Sequence, residues 1–394
     1  MNEQRREVND RMDHPDFAAL RKDFPLLGRK TYLNSGSYCV LAESVKAAFE
    51  SYLEDRSTVG ANWDFWVLKY ETVRRRVAQF LGAEPDEIAI TASASAGLNA
   101  LSSALEFTGR RNKIVVSDFE FPTNAQIWHA QERRGARVVH AHRAQDGYIP
   151  LEQFEELIDE ETDLVAVTHV CYSNGAKLDI PGIVRLAHAR GAKVLVDCYQ
   201  SVGALGFDVK ALGVDFAVGG MLKYLLGTAG IGFLYVRESL IQGLVPTNSG
   251  WFAQADIGAM DISANQPSLS SRRFEAGTPP VVNCYAAEAG LSYLLGVGSE
   301  AVEARILALT GRCMDRLDAI GWPSVTPRRD DRRGPTVAIP SVDAGLLTKK
   351  LMERGIVTSH RSGNIRAAFH FYNNDEDIET FIDAMTDLRA SLRA

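Results

Sequence analysis

The chain has 394 residues, enough for two or so packed domains around a large core, and its 46% hydrophobic and 24% charged residues are those of an ordinary folded protein. A formal net charge of −7 argues against the basic face that nucleic-acid or anionic-membrane binding requires, so a small-molecule partner is expected. The first thirty residues are charged throughout, without the apolar core of an export signal; no run reaches the length of a membrane span; and Cys39, Cys171, Cys198, Cys284 and Cys313 show neither CxxC nor even pairing. These features predict a cytoplasmic protein with free thiols, no bound metal and no membrane contact.

In chain order, short apolar, β-branched runs alternate with longer helix-like stretches. Strands are predicted at 87–91, 113–118, 136–141, 163–169, 193–197, 214–218 and 231–236. Helical patterns such as ALSSALEF, TNAQIWHAQERRG and DIPGIVRLAHARG lie between them, the last two ending in a glycine that stops a helix. Repeated βα units make an α/β fold with a mainly parallel seven-stranded sheet. After about residue 240 the pattern loosens into a Gly-, Ser- and Asn-containing stretch, 247–280, then resumes with helices near 283–295, 299–320, 343–355 and 375–392. The expected division is a large domain at 35–260, with 1–34 and 261–394 forming a small α/β domain and connecting segments. RRDDRRG at 328–334 reads as a solvated loop, and no internal repeat is visible.

Three features carry chemistry. Lys223 lies in AVGGMLKYLLGTAGIGFLYV, a segment with no other charge. Removing an ammonium from water costs several kcal/mol, so this residue is either a snorkelling lysine whose head reaches solvent or a desolvated amine with a depressed pKa, able to attack an aldehyde. Asp197 ends the run AKVLVD, at the carboxyl end of a predicted strand where open α/β sheets bind ligands; a helix cap is the plainer role. ITASASAGLNAL follows a strand with small residues and opens into a helix, so free N–H groups and the helix dipole can converge on an anion there, or the segment is a simple connection. Lysine for an aldehyde, carboxylate for a pyridine nitrogen and amides for a phosphate are together the demands of pyridoxal 5'-phosphate (PLP).

Other residues admit two readings. Trp63, Phe65 and Trp66 form either a substrate-side aromatic wall or core packing. His169 is a core histidine or a site residue; His370 and Tyr372 alternate with Phe369 and Phe371 as a strand would; and Cys198 is expected to point away from Asp197 as a structural thiol.

From FPLLGRKTYLNSGS through ASAGLN, DFEFPTN, THVCYSNG, VLVDCYQSVG, LKYLLGTAGIGFLYV and RFEAGTP to IRAAFHFYNNDEDIE, the chain resembles the class V aminotransferase and cysteine desulfurase group of PLP enzymes with the type I fold. The resemblance implies that Lys223 forms the Schiff base, Asp197 pairs the pyridine nitrogen, Gln200 donates to the cofactor's phenolic oxygen and Phe121 stacks on its ring. It implies that Ser95 with neighbouring amides, Ala96 among them, holds the phosphate, that Thr278 reaches the phosphate of a partner subunit, and that Arg366, whose fork suits a carboxylate, binds the substrate together with Asn34. A homodimer with composite sites and an amino-acid substrate follow from the same likeness.

Three departures stand out. Desulfurases of the family typically carry Ser-x-His before the lysine, where this chain has Gly220, Met221 and Leu222; Tyr172 replaces the usual Asn and, with KYLLG, resembles the kynureninase branch; and SHRSGNIRAAFH contains no cysteine where desulfurases keep their persulfide-forming one. The favoured expectation is a C–S β-lyase without enzyme persulfide. The rivals are an aminotransferase or epimerase on the same scaffold, and a PLP-binding protein that has lost catalysis.

Overall fold

The computed structural model describes residues 15–393. Residues 1–14, part of the segment that argues against export, lie outside the described residues. All seven predicted strands form one sheet: β1 (Ile88–Thr91), β2 (Lys113–Ser117), β3 (Arg137–Ala141), β4 (Thr162–Thr168), β5 (Lys193–Asp197), β6 (Phe216–Gly220) and β7 (Gly232–Val236). Their spatial order is β1-β7-β6-β5-β4-β2-β3. β7 runs antiparallel to β1 and β6, and every other neighbouring pair is parallel. Alternate residues feed two separate cores: Val115, Val165, Val167, Val194 and Val196 pack on one face, Ile114, Val116, Leu164, Ala166 and Leu195 on the other. Burial on both faces is why these strands read as continuous apolar runs rather than as alternation.

The predicted TNAQIWHAQERRG and DIPGIVRLAHARG helices are present as Pro122–Ala130, extended by a 3-10 turn Gln131–Arg134, and Ile180–Ala189. Gly135 and Gly191 take the left-handed φ that ends them. The helix Trp63–Leu81 begins at Asn62, whose side chain accepts from Phe65 N–H, and ends at a left-handed Gly82. It turns Trp66, Tyr70, Val73, Val77 and Leu81 inward, while Trp63 and Phe65 stay exposed. The aromatic cluster is therefore divided between core and surface.

A third core, built on Leu33, Leu309, Val337, Ile365 and Phe381, belongs to the C-terminal part. There β8 (Thr336–Pro340), β9 (Ser359–Arg361) and β10 (Asn364–Ala368) form an antiparallel sheet in the order β9-β10-β8. The N-terminal segment joins it: Thr31–Tyr32 pairs in parallel with Ile356–Val357, and Asn34 bridges to Ala368. The helix Val281–Val297, by contrast, places Cys284, Ala287, Leu291 and Leu294 in the large core. We therefore propose that the domains divide near Gly298 rather than at 260.

Two local expectations change. Residues 369–372 do not continue the strand; β10 ends at Ala368 and the segment turns, with Phe369, His370, Phe371 and Tyr372 all buried. RRDDRRG is not wholly solvated. Arg333 is 4% exposed, donating to Thr310 Oγ1 and Leu307 O and pairing with Asp330, so one guanidinium of a charged run anchors the loop to the helix Ser299–Ala319.

Candidate active site

The carboxyl ends of the central strands carry the site. Asp197 is the last residue of β5, in register with Thr168 of β4 and Val218 of β6. Lys223 follows β6 in a turn closed by Leu226 N–H to Lys223 O at 3.1 Å and Gly227 N–H to Met221 O at 2.8 Å. Its Nζ stands 4.3 Å from the centre of the Tyr199 ring and 5.8 Å from that of Phe121. Burial lowers the Lys223 pKa to about 8, Asp197 opposes this, and Arg366 and Arg361 reinforce it. Asp197 is buried, its Oδ1 accepting from Tyr199 N–H at 2.8 Å and its Oδ2 from Asn124 Nδ2 at 2.5 Å. Burial raises the Asp197 pKa, while these two donors and Lys223 lower it. A carboxylate so desolvated gains from a cationic partner, and a protonated pyridine nitrogen is one.

The depressed lysine gives a direct test. Only the neutral amine attacks an aldehyde, so the rate at which apoprotein binds PLP should rise with pH to a midpoint near 8 rather than at a free lysine's 10.5. A midpoint near that higher value, measured by stopped-flow absorbance, would mark Lys223 as an ordinary solvated lysine.

The expected phosphate cradle is the start of the helix Ala94–Ala104. Ser93 caps it, its Oγ accepting from Ala96 N–H at 3.1 Å. The Ala96 amide is thus engaged, and the N–H groups of Ala94 and Ser95 remain without an intrahelical acceptor. Gly232 keeps the adjoining strand close, since a Cβ there would sit 2.9 Å from Ala94 N. These amides and the Ser95 hydroxyl fit an anion at a helix N-terminus.

Phe121, N-cap of the helix Pro122–Ala130, is 42% exposed and meets the Tyr172 ring edge-on, with centroids 5.2 Å apart at 77°. Its open face is free for a stacked ring. Gln200 is buried and donates through Nε2 to Gly36 O at 3.0 Å, leaving its second amide hydrogen for another acceptor. The glycine in place of the desulfurase Ser has a steric cause: a Cβ on Gly220 would collide with the Tyr199 phenol.

Arg366 lies on β10 and is 3% exposed. It donates to Tyr172 O at 2.6 Å, Ser37 Oγ at 3.0 Å and Ser359 Oγ at 2.8 Å, while its Nε has no partner among the described residues. Burial and Arg361 lower its pKa to about 10. Of the other buried arginines, Arg74 pairs with Glu275 and Arg333 with Asp330, while Arg273 spends its donors, Nε included, on three backbone carbonyls and Gln242 Oε1. Among the described residues Arg366 has no carboxylate and, unlike Arg273, leaves its Nε unpartnered, and Asn34, which bridges to Ala368, leaves its buried Oδ1 unpartnered. Thr278 lies on an exposed loop. That loop follows the 3-10 turn Ser271–Phe274 and Glu275, whose Oε1 accepts from Ile90 N–H of β1.

The two histidines are core residues. His169 is buried beside Phe207, and burial lowers its pKa to about 3. His370, lowered to about 4, has Nε2 3.1 Å from Tyr224 O and accepts from Phe371 N–H at Nδ1, an arrangement that requires the neutral Nε2-protonated ring. Cys198 is a structural thiol bonded to Val218 O. Sequence reasoning missed Tyr199, Asn124 and Glu120. Glu120 and Asn124 stand four residues apart in DFEFPTN, but Glu120 precedes the helix that begins at Pro122, so helical spacing gave no signal of their pairing.

A family model described as "Aminotransferase class-V" matches residues 41–381. An uncharacterized aminotransferase, YcbU, of Bacillus subtilis (strain 168) is 35% identical over 373 residues, covering 92% of this chain and 95% of its own. A kynureninase of Deinococcus radiodurans is 30% identical, covering 90% of this chain and 89% of its own. The apo structure of a cysteine desulfurase from Thermococcus onnurineus NA1 superposes with a TM-score of 0.86 at 27% identity, over 94% of this chain and 97% of that one. The architecture is therefore that of the type I PLP-dependent enzymes.

Proposed function

The chain belongs to the class V aminotransferase family, and on that premise we propose that this PLP-dependent enzyme is a C–S β-lyase that cleaves a cysteine conjugate without carrying sulfur on a cysteine of its own. The observation that carries this reading is the state of the thiols. Cys39, Cys171, Cys198, Cys284 and Cys313 are all buried, and burial pushes Cys39 and Cys284 up to about 12. The β9–β10 hairpin turns through Ser362 and Gly363, both left-handed, and carries no thiol. An attack on substrate sulfur needs a reachable thiolate; expulsion of sulfur from Cβ does not.

Bound PLP supplies an aldehyde to link the substrate amine and a ring to withdraw electrons from its α-carbon. Arg366 binds the substrate carboxylate. Asp197 holds a proton on the ring nitrogen, and Tyr199, Phe121 and Tyr172 wall the space around Lys223. Lys223 Nζ, neutral near its lowered pKa, takes the Cα proton. The Cβ–S bond then breaks with its electron pair on sulfur, a proton gives the free thiol, and the three-carbon remainder takes up water to leave pyruvate and ammonium. Turnover of an S-substituted cysteine should yield thiol, pyruvate and ammonium in equal amounts, with no sulfur added to the protein's intact mass. A product that keeps every substrate carbon, as a keto acid or as the opposite enantiomer, would replace the lyase by an aminotransferase or an epimerase.

We propose also a homodimer in which Thr278 reaches the partner's phosphate site. Its support is that Tyr38, Leu41, Leu53, Trp63, Phe65 and Ile262 are exposed, apolar side chains that a partner subunit would cover. Light scattering should give twice the chain mass, and a monomer with full PLP affinity would refute the composite site.

A further inference from the structure

Behind Asp197 lies a second buried carboxyl group. Glu120 is 8% exposed. Its Oε1 accepts from Ser117 Oγ at 2.8 Å and its Oε2 from Thr168 Oγ1 at 2.8 Å. Asn124 spans both acids, Nδ2 lying 3.4 Å from Glu120 Oε2 and 2.5 Å from Asp197 Oδ2. Of the groups packed on Glu120, from β2, β4, β5 and the helix Pro122–Ala130, Asp197 is the titratable one; Ser117, Thr168 and Asn124 are neutral. Lys223 acts on Asp197, lowering its pKa.

We propose that the two carboxyl groups share one negative charge through Asn124, Glu120 holding a proton so that Asp197 stays ionised toward the ring nitrogen. Two like charges bridged by one amide in a dry site cannot both be kept. The pocket accepts the protonated acid without opening, because the Ser117 or Thr168 hydroxyl can rotate from donor to acceptor. Burial, and next Asp197, raise the Glu120 pKa to about 8, which agrees with the geometry. Glu120 is thus a positioning residue that acts through Asn124 and Asp197. The inference rests on Asp197 as partner of the ring nitrogen, but the shared charge itself is measurable without cofactor.

The sign of the linkage follows from the raised value. Folded protein keeps the Glu120 proton up to about 8, whereas the unfolded chain loses it near about 4.3. Folding therefore weakens as pH rises between these values, by about tenfold in the folding constant per pH unit for one proton. Glu120→Gln keeps the shape and removes the titration. Thermal and urea unfolding of apoprotein from about pH 5.5 to about pH 8.5 should show wild type losing stability relative to E120Q at that slope; parallel curves would overturn the shared charge. In holoenzyme, the visible PLP band of wild type should shift near pH 8, and E120Q should keep its PLP and lack that step. A shared charge in apoprotein without a spectral difference would leave the pair intact and remove its link to the cofactor. Should E120Q not fold, Thr168→Val serves, because Thr168 bonds the Glu120 carboxyl group directly and its loss is expected to move the same step; an unmoved step would refute the proposal.

Discussion

Replacing Lys223 by Ala is expected to lower kcat by about 10²- to 10⁴-fold through loss of the proton carrier alone. The fold should survive, because the turn that presents Lys223 is closed by backbone hydrogen bonds and the side chain lies over the Tyr199 and Phe121 rings. PLP should remain bound noncovalently between Asp197 and the amides of Ala94 and Ser95. A small added amine should restore part of the rate, which separates a missing base from a distorted site. Wild-type turnover by Lys223→Ala, measured as pyruvate release, would place the base elsewhere.

The second large effect belongs to Arg366. Its guanidinium is almost wholly desolvated and, among the described residues, bonds only neutral groups and leaves Nε unbonded. Losing one partner of a desolvated charge pair costs about 2 to 5 kcal/mol, so Arg366→Ala should weaken substrate by about 30- to 5,000-fold. The PLP spectrum should be unchanged. Arg366→Lys should recover only part, because an ammonium lacks the planar fork. Converting the substrate carboxylate to an amide should cost wild type heavily and the Ala variant little; equal losses in both would remove Arg366 from the carboxylate site.

The central sheet was legible in the sequence because each strand is an apolar, β-branched run bounded by polar turns, and two-sided burial preserves that signal. Asp197 and Lys223 were legible because each is a charge among apolar neighbours, where burial without purpose is costly, and Arg366 only through the family resemblance. The helix Val281–Val297 was found as a helix, but an all-round apolar surface says nothing of which core receives it. Residues 369–372 alternate like a strand, yet Asn373 Oδ1 accepts from His370 N–H and turns the chain. Tyr199 and the Glu120–Asn124 bridge were hidden for a different reason. They matter only through partners on other strands, and a single sequence does not show which strand ends meet.

The central claim, that Lys223 holds the cofactor, is tested most directly by reducing holoenzyme with borohydride and mapping the modified peptide by mass. The expected result is one reduced pyridoxyl phosphate group per chain, attached to Lys223 in the peptide containing GGMLKYLLG; a label on another lysine, or none on protein that has bound PLP, would contradict it.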